Sequence, residues 1–197
     1  MNSKIKINLM INTHTFLAKL IHWTFIPLYA YGIFKQVDDL NQLEDASFLN
    51  FEILFAIVFL IIVLLRYFYM KDTQTLLGAH DVLPKGHLFI AKTVHRLVYF
   101  SLIMLPTTGL LIAALVSLET EGIEVAVLIH EFSADLSYVV ITLHIGATLY
   151  SRFKGEGLWN AMVPVLKETG KKESNLITKL EVIENKIYKK VEDKFIK

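Results

Sequence analysis

The chain has 197 residues, 54% of them hydrophobic, with a formal net charge of +1 and a mean hydropathy of +0.48. That composition excludes an ordinary soluble domain and fits a small helical membrane protein. The absence of cysteine excludes disulfides, thiolate-bound metal, iron–sulfur clusters and covalently attached c-type haem. Lys4 and Lys6 precede an apolar run with no small-x-small cleavage site; the run contains His22 and reads as a retained first helix, not a signal peptide. Four stretches reach the roughly 20 apolar residues that a spanning helix needs, near 15–34, 49–69, 89–116 and 124–150. The last two are long enough to tilt or to project beyond the lipid.

Charge orients these spans. The first connection, QVDDLNQLEDAS, and the third, around ETEGIE, carry only acids, whereas Arg66, Lys71, Lys85 and Lys92 make the second basic, as are both chain ends. The positive-inside rule then places both termini and the second connection in the cytoplasm. After the fourth span, SRFKGEGLWNAMVPVLKETG reads as an interfacial segment anchored by Trp159, Met162 and Val165. The tail has apolar residues at 176, 180, 183, 187, 191 and 195, which predicts an amphipathic helix. It lies on its own protein or on the lipid surface, or it docks a partner subunit. The expected class is all-α: a four-helix integral membrane bundle over residues 1–165 and an amphipathic cytoplasmic tail helix over 166–197.

His130 and His144 are fourteen residues apart in IHEFSADLSYVVITLHIGATLY. Fourteen residues is almost four helical turns, so both imidazoles leave one face, about 21 Å apart along the axis. An ionisable group inside a bilayer is costly and marks a functional site. Between the two histidines stand the small Ala134 and Ser137 and the apolar Ile141, leaving room for a flat group; haem is the flat group that takes imidazole in an apolar site. Under the inferred topology His22, His95 and His144 each lie about seven residues from the cytoplasmic side, so His22 and His144 are placed to ligate one iron. His130 is alone near the other surface. His14, His80 and His87 read as solvated. Lys19, Arg66, Arg96 and Arg152 lie near the cytoplasmic boundary, where propionates need cations, although topology alone also accounts for them.

These residues carry a resemblance. LIHWTFIPLYAYGIF, with its His22–Trp23 pair, resembles the first helix of the bacterial cytochrome b-561 family. AKTVHRLVYFSLIMLPTTGLLI, with Leu105, Pro106 and Gly109, is similar to that family's third helix. IHEFSADLSYVVITLHIGATLYSRFKGEGLWNAMVP is similar to its fourth helix and the segment after it. The resemblance covers roughly residues 15–165. It implies four helices holding b-type haem through pairs of histidines, as in the cytochrome subunits of hydrogenases and formate dehydrogenases and in small quinone-linked cytochromes. It assigns His22 and His144 to a cytoplasmic-side haem and gives His130 a partner early in the second helix. There the chain departs from the family, with Asn50 and Glu52 where a histidine is expected. Three readings stay open: one haem with His130 a remnant, a second haem with an unusual or missing ligand, or His130 bonded to a side chain such as Asn50. His95 and Arg96 are then left to bond a propionate, or in the case of His95 a quinone oxygen.

The expected function is bacterial inner-membrane electron transfer through bis-histidine haem b, to or from ubiquinone or menaquinone, as a quinone-linked oxidoreductase component. The alternative is a haem-containing anchor of a larger respiratory complex, contacting a redox partner subunit through the tail helix. No nucleic-acid partner is expected.

Overall fold

The computed structural model describes residues 13–35, 37, 40–72, 76–168, 170 and 174–196. Lys4 and Lys6, and the acids Asp38 and Asp39 of the first connection, lie outside the described residues. The described residues are all-helical, 80% helix, with no strand among them. Helix α1 is Phe16–Phe34, α2 Ala46–Met70, α3 Lys85–Ser117, α4 Ile123–Lys154, α5 Leu158–Met162 and α6 Asn175–Phe195, with a 3-10 turn at Leu40–Glu44 before α2. The four stretches expected to span are thus each helical.

Three of these helices, α2, α3 and α4, are long and apolar enough to cross a membrane. The 33 residues of α3 make a rod of about 50 Å, against a hydrocarbon core of about 30 Å. Large apolar side chains such as Leu54, Ile61, Leu65, Phe132 and Val139 lie exposed along them. So much exposed apolar surface is explained by lipid contact. Helix α1, 19 residues long, is not among the three, because Lys19, His22 and its tyrosines lower its hydropathy.

The chain forms two compact units. One comprises Leu20–Asp72 and Leu97–Ile141; the other comprises Met1–Lys19, Thr73–Arg96 and Thr142–Lys197. In the first, Phe25 of α1, Phe59 and Val63 of α2 and Leu102 of α3 form a buried cluster, with Ile141 of α4 packed against it. The Phe25 and Phe59 ring centroids are 5.0 Å apart, the spacing of a favourable aromatic pair. A second cluster joins Leu43, Ile112 and Ala126. Asp45 caps α2: its carboxylate accepts from the Ser47 and Phe48 amides at 2.8 and 3.4 Å, satisfying N–H groups that the helix leaves open. The Ser47 hydroxyl, which donates to the same carboxylate at 2.7 Å, and then these two amides hold its pKa below the ordinary value.

In the other unit, α4 ends where Gly155 and Gly157 take positive φ of 74° and 90°, a conformation in which glycine stops a helix without strain. The Gly157 amide donates to both Glu168 carboxylate oxygens at 3.0 Å. Helix α6, capped by Ser174, packs back on this unit. The Gly86 amide donates to Glu192 at 2.7 Å, and Phe89 stacks on Phe195 with centroids 5.6 Å apart. A Cβ on Gly86 would collide with the Tyr188 backbone, so glycine is what permits the close approach.

Candidate haem-binding histidines

In the first unit, α4 presents His130 and α3 presents Thr108. Their Nδ1 and Oγ1 atoms are 2.8 Å apart. The Thr108 hydroxyl also lies 2.8 Å from the Met104 carbonyl, and a carbonyl only accepts. Thr108 therefore gives its one proton to the backbone and accepts from His130 Nδ1–H, which leaves the Nε2 lone pair available. His130 is thus bonded to a side chain, as one of the three readings had it, with Thr108 in the place of Asn50. Helical spacing produces the contact: Pro106 and Gly109 bracket Thr108, and a Cβ on Gly109 would touch His130 at 3.6 Å. The bare glycine keeps space open beside the imidazole.

His22 is half-buried, with its ring edge-on to Trp23 at 6.1 Å. Two residues beyond Pro27, Tyr29 reaches α4: its hydroxyl lies 2.7 Å from Ser137 Oγ. Ser137 donates to the Ala134 carbonyl, so Tyr29 is the donor. Ser137 is 0% exposed. The expected open room beside Ser137 is therefore filled. No local pattern singles out Tyr29, since a tyrosine in an apolar run does not announce its partner.

The early turns of α2 are also engaged. Glu52 forms an ion pair with Lys35, and the Lys35 ammonium lies 4.6 Å from the Phe51 ring centroid and 5.3 Å from that of Phe55. Of the two residues noted in the sequence where the resemblance led us to expect a histidine, Glu52 is thus paired to a lysine beside aromatic rings. Asn50 is exposed.

In the other unit, His95 of α3 and His144 of α4 come together, with ring centroids 5.0 Å apart and planes at 71°. His95 Nδ1 is 2.7 Å from the Ala91 carbonyl. Nδ1 therefore carries the proton, and Nε2 keeps its lone pair. This is the arrangement that orients an imidazole for metal ligation. Arg152 is not free for a propionate alone: its Nε donates to the Leu166 carbonyl at 3.1 Å, and its guanidinium lies 5.2 Å from the Trp159 ring centroid. Arg96 is exposed. Arg66, in the first unit, keeps a buried Nη1 with no hydrogen-bond partner, which suits a cation that meets an anionic group.

His87 departs from its expected solvated state. It stacks on Tyr188 with centroids 4.8 Å apart and planes at 11°, and its ligand atoms lie within 4.8 Å of those of Glu156 and Glu184. Lys154 already serves this group as its cation, at 2.5 Å from Glu156 and 2.6 Å from Glu184. Tyr188 donates to Glu184; burial and that carboxylate raise its pKa well above the ordinary phenol value. The apolar periodicity of the tail could not reveal this cluster, because it is built from the polar positions between the apolar ones.

The model of the prokaryotic cytochrome b561 family matches residues 13–165, three-quarters of the chain. The protein belongs to the prokaryotic cytochrome b561 family. It is accordingly a membrane b-type cytochrome of electron transfer. No curated protein and no solved structure matches the chain. Within one unit His130 keeps its Nε2 lone pair beside the bare Gly109, and within the other His95 keeps its own beside His144, donor chemistry that suits a b-type haem.

Proposed function

We propose that this cytochrome holds one haem b by bis-histidine ligation and exchanges electrons with a membrane quinone, ubiquinone or menaquinone. The observation that carries the reading is the half-buried His144 on a membrane helix with a second imidazole, His95, 5.0 Å away, in a chain of this family. His22 and His144 are the proposed axial ligands, on their matched depth in the sequence and on the family pattern. His95 is the proposed hydrogen-bonding neighbour, with Arg96 and Arg152 near the propionates.

When bound, b-type haem would supply a one-electron iron couple, and His22 and His144 would hold it. The chain's own part is to orient and to insulate. Ala91 fixes the tautomer of His95 by accepting its Nδ1–H. Apolar side chains at the helix surfaces keep water away, which raises the weight of each remaining polar contact. His130, bonded to Thr108, lacks a histidine opposite it in α2, which supports a single tightly held haem.

The membrane is proposed to be the bacterial inner membrane, with α1 as a fourth span and both termini cytoplasmic, on the distribution of lysine and arginine. The docking of α6 on its own chain through Glu192 and Phe195 supports an autonomous cytochrome over an anchor for a partner subunit. A pyridine haemochrome assay tests the reading. One haem b per chain, reducible by a quinol analogue, is the expected result. A folded protein from a haem-replete host with no Soret band overturns it.

A further inference from the structure

The tail helix divides its surface between two kinds of neighbour. Toward its own chain it turns Glu184, Tyr188 and Glu192, which meet Lys154, His87 and Gly86. A separate apolar stripe remains exposed: Leu176 at 66%, Leu180 at 39%, Ile183 at 54% and Ile187 at 49%. At about 100° per residue these four share one narrow line, roughly a quarter turn round the axis from the docked face. On the far flank of the stripe stand Lys179, Lys186 and Lys190, all exposed. Of the acids of α6, Glu181, Glu184 and Glu192 fall on the docked side, and Asp193 alone shares the flank of the three lysines.

We propose that this stripe seats on the surface of the bilayer, with its lysines on anionic lipid headgroups. Two observations select that occupant. The first is charge: a basic flank beside an apolar line fits a negatively charged interface. The second is continuity with the membrane region. Helix α6 is tied to the first turns of α3 through Gly86 and Phe89, and to the last turns of α4 through Tyr150 and Lys154. These are the ends of two membrane-length helices, so the tail lies where hydrocarbon gives way to headgroups. The docked face fixes the helix to the protein; the apolar face is left to the lipid.

The chain has no cysteine, so single thiols report position directly. The full-length protein carrying Ile183→Cys or Asn185→Cys, which lies on the opposite side of α6, is labelled with an environment-sensitive fluorophore. It is reconstituted one copy per nanodisc in phosphatidylcholine, alone or with phosphatidylglycerol. The label at 183 is expected to be blue-shifted and quenched severalfold more by doxyl-labelled lipid than the label at 185, most strongly with phosphatidylglycerol. Replacing Lys179, Lys186 and Lys190 by Gln should weaken that lipid preference, by up to roughly fivefold per lysine. Equal quenching at 183 and 185 in both bilayers overturns the proposal. So does efficient Ile183→Cys cross-linking between two copies without lipid quenching, which would give the stripe to a second chain. Helix content by circular dichroism checks that each variant is folded.

Discussion

His95 and His144 face each other across two helices, with ring centroids 5.0 Å apart and planes nearly perpendicular at 71°. Only one of them needs to be an axial ligand for the other to affect the iron. His144→Ala and His22→Ala should each abolish the low-spin haem spectrum. His95→Ala should keep it and shift the midpoint potential on the order of 40 mV, the one-electron equivalent of a hydrogen bond worth about 1 kcal/mol. Optical redox titration reads both. Loss of haem in His95→Ala with retention in His22→Ala would reassign the ligand.

Haem stoichiometry should answer to residue 52. Phe48, Glu52, Phe55 and Phe59 follow one another at helical spacing, and Phe48, Phe55 and Phe59 pack into the unit, whereas Asn50 is exposed. Glu52→His, which also releases Lys35, is expected to raise the haem content from about one toward two per chain; Asn50→His is expected to leave it at one. Two stoichiometric low-spin haems in the unaltered protein would show that another residue already serves opposite His130.

Thr108 can be tested without reference to haem count. Thr108→Val removes the acceptor of the His130 Nδ1–H bond at 2.8 Å while preserving shape. An unsatisfied imidazole proton should lower stability by about 1–3 kcal/mol. Thr108→Ser restores the hydroxyl and should recover most of it. Thermal unfolding in detergent measures the difference.

Gly86→Ala should loosen the tail. Its Cβ meets the backbone of Tyr188, which cannot rotate away as a side chain would, and overpacking of this kind costs about 1–3 kcal/mol. Faster hydrogen exchange confined to 175–196 is the expected signature. Gly146→Ala would add a Cβ with nothing within 4 Å and should leave exchange in the tail unchanged.

The cap of α2 carries a pH dependence. Asp45 has its folded pKa below the ordinary 3.8 because it accepts from Ser47 and Phe48. Its contribution is fully present above the unfolded value and is lost as pH falls through the folded one. Fraying of the first turn of α2 should begin below about pH 4, and Asp45→Asn should remove this titration while keeping a cap. Amide exchange at Phe48, corrected for its intrinsic rate, follows it.

Much of this was legible in the residues. Apolar length located α1 to α4, and α2, α3 and α4 announce themselves as membrane-length because a segment in lipid must satisfy its backbone internally. The b561 resemblance was readable from His22–Trp23 and from the spacing of His130 and His144. What escaped was polar pairing across helices. Tyr29 with Ser137, Thr108 with His130 and Lys35 with Glu52 join residues far apart in the chain, and no local periodicity encodes them. His87 was misread for the same reason, since its environment is made by residues 156, 184 and 188.

The bond from Gly86 to Glu192 joins positions 106 residues apart, and its consequence concerns the order of assembly. The first turns of α3 are synthesised well before the chain reaches residue 184, and domains generally take shape in the order they emerge. Contacts this distant in sequence wait for loop closure. His87, Gly86 and Phe89 therefore stay without these neighbours until residues 184–195 have emerged. The helices that carry His95 and His144 can enter the membrane early, while the layer that fastens their ends closes only after α6 has left the ribosome.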